Sequence, residues 1–218
     1  MGHYSVFVEA GVPLSVIALT RGENGIPNDD HITTSEEMGR RREIEFRKAI
    51  TSFGGEPIQL GFPDMGLTSI WNKDPNQIIE PVLEIIRRRE FGALLSFHPY
   101  EITPQFDHPD HRIAGLVVQI VAASADVAHY FPHIPALDFR PDLFYWTSAK
   151  TLANQVLELT QKVRKMRNKH LKARYSSQFS EDGKWHIIFD RISHEKKKRK
   201  HNKLRKKKRH VERWFQVR

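Results

Sequence analysis

Cysteine is absent from the 218-residue chain, which removes disulfides and thiolate metal sites together. Any transition metal would have to be held by His, Asp or Glu, a donor set that suits zinc in a hydrolytic centre. No apolar run approaches the roughly 20 residues needed to cross a bilayer. Residues Met1 to Leu14 lack a basic n-region and carry Glu9, so they do not read as a signal peptide, and a cytoplasmic protein is the default expectation. Internal repeats and Gly/Ser linkers are missing too. The length suits one α/β domain with a buried core and is short for two.

What is present begins with charge. The formal net charge is +9, but twelve of the 35 Lys/Arg residues fall between His194 and Arg213, with only Glu195 and Glu212 among them. Without that stretch 23 basic residues face 24 acidic ones. The basicity therefore belongs to one segment, and the domain-wide footprint usual in nucleic-acid binders is absent. This divides the chain into a nearly neutral domain, residues 1–193, and a basic C-terminal extension, residues 194–218. The extension reads either as a solvated charge run or as a weak polyanion contact through residues 194–213. Aromatics that could stack bases are not interleaved in it.

Strand and helix patterns alternate along the chain. Val12 to Thr20 is an apolar, β-branched run and reads as a buried strand, preceded by a short amphipathic segment, Tyr4 to Ala10, closed by Gly11. Ser35-Glu36-Glu37 opens a charged helix that runs to about Phe53 and stops at Gly54-Gly55. Pro57 to Gly61 reads as a second strand and Asn76 to Glu90 as an amphipathic helix. Pro81 near its start is acceptable because the first turn has no helical donor to lose. Ala93 to Phe97 is a third strand, His111 to Ala125 a helix and Asp142 to Thr147 a fourth strand. A long helix is expected over Thr151 to Arg174 and a further strand over Trp185 to Phe189. Crossovers of this length predict parallel pairing in a three-layer α/β domain with ligands at the carboxyl ends of the strands. The chain opens on a helix, where such domains usually open on a strand.

Asp107-His108-Pro109-Asp110-His111 is the sharpest chemical signal. Two histidines three apart at a helix entry can face one cleft, and Asp110 can orient an imidazole by accepting its N–H. The plainer reading is a capped helix start with surface histidines. His98, His129 and His133 read as loop residues.

Four boxes in order carry a family resemblance. Leu19-Thr20-Arg21-Gly22-Glu23-Asn24-Gly25 resembles an LT-x-GE-x-G turn, and Arg42-Glu43-Ile44-Glu45 with Ala49 an R-x-x-E-x-x-x-A helix. Leu60-Gly61-Phe62-Pro63-Asp64-Met65-Gly66 resembles an L-G-F-x-D-x-G loop, and His108 to His111 an HPDH box. All four are features of the LmbE/PIG-L family of zinc-dependent N-acetylglucosaminyl deacetylases. Ser177-Gln178 is similar to a further family element. The similarity runs from about Gly2 to Phe189, with Glu212-Arg213-Trp214-Phe215 resembling the family's terminal segment.

The resemblance implies a Rossmann-like sandwich with a mostly parallel sheet, and a hydrolase removing acetyl from an N-acetylglucosamine-type sugar conjugate. It implies zinc as cofactor with His111 as a ligand, His108 as the group that stabilises the oxyanion or protonates the leaving amine, and Asp110 as its orienter. Arg42 and Asp64 would bind sugar hydroxyls. Their plainer readings are a solvated helix charge beside Arg40 and Arg41, and a turn residue after Pro63. Homo-oligomers occur in the family.

One element of the pattern has no counterpart. The family carries an H-P-D-D box after its first strand, supplying two zinc ligands and the general base, and nothing like it precedes Met1. The expectation is a fold with its first strand missing, an incomplete zinc ligand set and impaired activity. It would arise from an internal methionine taken as the start, or from a genuinely shortened chain. The alternative from another functional class is a non-catalytic remnant that binds polyanions through its basic extension.

Overall fold

The computed structural model describes residues 7, 10–25, 34–100, 108–146, 161 and 165, and the backbone of 155–158 and 211–217. These residues fall in two compact units, the first comprising Met1–Asp64 with Glu158–Val211 and the second Met65–Leu157 with Glu212–Arg218.

In the first unit, β1 (Ser15–Thr20) and β2 (Glu56–Phe62) pair in parallel. The register runs from Ser15 opposite Glu56 to Thr20 opposite Phe62 and shifts between Ala18 and Thr20. Helix α1 (Ser35–Ser52) connects them and packs on β2. Its start is a capping box. Thr34 Oγ1 accepts from Glu37 N at 3.2 Å, and Glu37 Oε2 accepts from Thr34 N at 3.1 Å, satisfying two donors that a helix start otherwise leaves open. Its end is set by Gly54, whose φ of 77° is left-handed and suits glycine.

In the second unit, β3 (Ala93–Phe97) and β4 (Asp142–Trp146) pair in parallel, Ala93 opposite Asp142 through Phe97 opposite Trp146. Two further strands, β5 (Gln155–Glu158) and β6 (Val211–Val217), complete a sheet of order β3-β4-β6-β5. Strand β6 runs antiparallel to β4, with Leu143 opposite Val217 and Trp146 opposite Trp214. Helices α2 (Leu67–Lys73), α3 (Asn76–Arg89) and α4 (Pro109–Ser124) accompany it. The core of this unit joins Ile78, Val82 and Leu83 of α3 to Val117 and Val121 of α4, all at most 3% exposed.

The mixed α/β class expected from the sequence is what is found, with parallel pairing at β1–β2 and β3–β4. Three local readings need correction. The helix expected over Thr151 to Arg174 contains β5 at Gln155–Glu158; its place in the sheet next to β6 outweighs the helix propensity of Leu, Gln and Glu. Pro81 lies in the second turn of α3, not the first, so the carbonyl of Gln77 loses its helical donor. The helix persists because Ile78, Ile79, Val82, Leu83 and Ile86 are buried along one side. Helix α2 was not foreseen. The strand expected over Trp185 to Phe189, the Ser177-Gln178 element and most of the Tyr4–Ala10 segment lie outside the described residues.

Candidate active site

The first unit holds Arg42 and Asp64. The turn after β1 bends at Gly22, φ 71°, and closes with Gly25 N donating to Gly22 O at 3.2 Å. A Cβ on Gly22 would lie 2.8 Å from Arg42 Nη1, and one on Gly25 would lie 2.6 Å from Arg42 Cζ. The two glycines therefore form a cradle for the guanidinium of Arg42, which is half-buried and not a solvated helix charge. Glycine is needed here for approach as well as for the turn. The same turn is tied to the start of α1 by Arg21, whose Nη2 and Nη1 reach the two oxygens of Glu36 at 3.0 and 3.4 Å. That pair raises the pKa of Arg21 and lowers that of Glu36, first through the hydrogen bond and then through charge.

Asp64 joins the loop after β2 to this turn. Its Oδ1 accepts from Thr20 Oγ1 at 3.3 Å and its Oδ2 from Asn24 N at 3.1 Å. Its carbonyl accepts from Asn24 Nδ2 at 2.8 Å, and its own N–H donates to Glu23 Oε1 at 2.8 Å. Four hydrogen bonds between two loops make Asp64 a loop fastener. Its carboxylate oxygens keep lone pairs for a ligand, since each can accept twice.

The second unit holds the HPDH box at the start of α4. His108 is the N-cap, and its Nδ1 accepts from Asp110 N at 3.3 Å. Pro109 occupies the first helical position, where its missing N–H costs nothing. The cap bond uses the Nδ1 lone pair, so the ring proton sits on Nε2 in this arrangement. Asp110 is 5% exposed, and its carboxylate accepts from Met65 N at 2.7 Å and Leu67 N at 3.2 Å. The hydrogen bonds of this carboxylate therefore go to the backbone that opens α2. The backbone N–H of Asp110 holds the His108 ring at the cap. Met65, at φ 65°, takes a left-handed conformation that is uncommon for a non-glycine residue, held by this bond.

His111, one turn into α4, stands beside His108 with ring centroids 5.1 Å apart. Its ring stacks on Phe97 at the end of β3, a neighbour that no sequence motif singled out. A ligand atom of His108 and one of Asp110 lie within 4.8 Å of each other. Nitrogen and oxygen donors at a helix entry fit zinc in kind. Of the other histidines, His98 accepts from Tyr100 N at 3.2 Å, and His133 pairs with Glu80 at 2.8 Å on the surface.

The chain belongs to the PIG-L family, whose profile, described as GlcNAc-PI de-N-acetylase, matches residues 2–122. Solved structures share its fold. N,N'-diacetylchitobiose deacetylase from Pyrococcus horikoshii aligns with a TM-score of 0.76 at 15% identity, over 99% of this chain and 77% of that one. The 4-carboxy-2-hydroxymuconate hydratase GalB from Pseudomonas putida KT2440 aligns with a TM-score of 0.63 at 15% identity, over 99% and 88%. The A40926 pseudoaglycone deacetylase Dbv21 aligns with a TM-score of 0.60 at 15% identity, over 98% and 90%. A hydratase among these neighbours shows that the fold alone does not select the reaction. Family membership, with the deacetylases among the neighbours, supports a hydrolase of the deacetylase type, and deacetylases of this family are metal-dependent. No curated protein sequence is significantly similar to the chain. No described helix is long and apolar enough to cross a membrane.

Proposed function

We propose that the chain is a zinc-dependent de-N-acetylase acting on an N-acetylglucosamine-type sugar conjugate, with the HPDH box as its catalytic element. The observation that carries this reading is the start of α4, where His108 is fixed through Nδ1 and stands beside His111. His111 would hold zinc, which when bound polarises an acetamide carbonyl and favours ionisation of a water. His108 would donate a hydrogen bond from Nε2 to the oxyanion or, as the imidazolium with its Nδ1 cap bond released, a proton to the leaving amine. Asp110 would act as a positioning residue, fixing the cap through its N–H and the 65–67 backbone through its carboxylate. Arg42 and Asp64 would bind sugar hydroxyls. The cradle of glycines around Arg42 supports this, because a guanidinium held in one place can present donors at fixed bearings.

The sequence contains no H-P-D-D run, and a catalytic zinc site uses three protein ligands. The isolated chain is therefore expected to hold zinc weakly and turn over slowly. The test is release of free amine from N-acetylglucosamine conjugates with zinc supplied in excess. His111→Ala should abolish zinc-dependent turnover. His108→Ala should keep the metal dependence and lose about 100-fold or more in rate, the usual worth of a positioned acid or oxyanion donor. A zinc-loaded wild-type chain that releases no amine from any such conjugate would sink the proposal.

A further inference from the structure

Phe97 closes β3 and lies outside all four family-like boxes, yet it is placed squarely on His111. The two rings are parallel, at an interplanar angle of 6°, with centroids 3.9 Å apart. The backbone beneath the pair is held as tightly. Gly115 follows His111 by one helical turn on the same face of α4. A Cβ there would lie 2.5 Å from the carbonyl oxygen of Phe97 and 2.9 Å from the nitrogen of Pro99. The helix thus meets the strand end backbone to backbone, one turn from the stacked rings. Phe97 is nevertheless 40% exposed, so core filling does not account for a large aromatic side chain here.

We propose that Phe97 is a positioning residue for the imidazole of His111, an inference that rests on His111 being a metal ligand. The χ2 torsion of histidine is broad and roughly two-fold, so an unsupported ring presents its nitrogens over a range of bearings. A parallel phenyl face removes that freedom while leaving the ring edge, where the nitrogens lie, uncovered. It also favours an imidazole that carries positive charge, as one bonded to a cation does. Partners that orient metal-binding histidines typically change metal affinity by 10- to 100-fold.

Three variants test this: Phe97→Leu, which keeps apolar volume and removes the π face, Phe97→Tyr, which keeps the face, and His111→Ala. The first measurement is the NMR position of the His111 ring protons in the metal-free proteins, assigned by their disappearance in His111→Ala. Wild type and Phe97→Tyr should show the ring-current displacement of a stacked imidazole, and Phe97→Leu should lose it. The second is zinc affinity by competition with a chromophoric chelator. Phe97→Leu should bind about 10- to 100-fold more weakly, and Phe97→Tyr close to wild type. Equal zinc affinity in Phe97→Leu and wild type, at matched urea midpoints, would overturn the proposal, and so would ring protons that do not move. If His111→Ala binds zinc as well as wild type does, the ligand assignment falls and the positioning role with it, while the ring shift still reports the stack.

Discussion

Tyr145 lies in β4 at 2% exposure, with the edge of its ring against His98 at a centroid distance of 5.2 Å. Its hydroxyl has no hydrogen-bond partner among the described residues. Burial, followed by the nearby Tyr100, pushes its pKa from 10.0 up to about 12. The folded state therefore favours the protonated phenol. This preference contributes stability in full below about pH 10, and the contribution is lost as pH rises toward about 12. Tyr130 is displaced in the same direction by burial. In an ultraviolet titration Tyr130 and Tyr145 should ionise late, and Tyr145→Phe should remove the later step. At neutral pH that variant should match or slightly exceed wild type in stability, since it deletes a buried hydroxyl that lacks a partner. Five tyrosines ionising together near pH 10 would contradict this.

Residues of this kind also mark where sequence reasoning stopped. The HPDH box was legible as a helix entry because Asp and Pro at those positions have local causes. The assignment of Asp110 to His108 was not a local question. The Asp110 carboxylate answers to Met65 and Leu67, 45 and 43 residues away. Nor could Gly25 be tied to Arg42 before the turn and α1 were brought together.

At the scale of elements, the pattern was readable wherever the signal was local. The opening of α1 at Ser35-Glu36-Glu37, the apolar periodicity of α3 and the β-branched run of β1 all correspond to observed elements. Helix α2 was missed because its first N–H is capped by Asp110 from the start of α4, and Gly66 offers no side-chain cap of its own. Strand β5 was missed because strand pairing, not propensity, decides its form.

Arg87, at the end of α3, is a charged residue only 3% exposed. Its Nε donates to Ala125 O at 3.1 Å, Nη1 to Ile134 O at 2.7 Å and Phe131 O at 3.3 Å, and Nη2 to Val127 O at 2.8 Å and Ser124 O at 3.0 Å. All five of its donors are used on carbonyls at the end of α4 and in the segment that follows it. Burial lowers its pKa, opposed by Asp126, which is itself paired with Arg140 at 3.0 Å. Arg87→Ala should cost roughly 3–5 kcal/mol in urea unfolding, because it strands several buried acceptors at once. Arg87→Lys should recover only part of the loss, since an ammonium has three donors and no fork.

For the whole molecule, positive charge is concentrated in one stretch of the sequence. Residues 194–210 contain eleven Lys/Arg and one acidic residue. Their deletion changes the formal charge from +9 to −1. Because β6 begins at Val211 and pairs with β4, a clean deletion stops at His210. The deleted form is expected to lose retention on immobilised heparin, which in the parent should fall steeply with salt, while zinc-dependent amine release continues. Loss of both would show that the basic stretch serves the fold or the substrate. Retention without hydrolysis in any form would favour a polyanion-binding role for the chain.

The five bonds of Arg87 also bear on the order of assembly. They bridge 37 to 47 positions along the chain, so none can form while α3 folds alone. Until the 124–134 segment docks, the guanidinium is better left in water, since burying it half-satisfied costs more than leaving it exposed. Arg87 thus works as a latch against partial docking: collapse of α4 onto α3 gains nothing at that end until the following loop arrives with it. Helix and loop are thereby bound into one cooperative folding step.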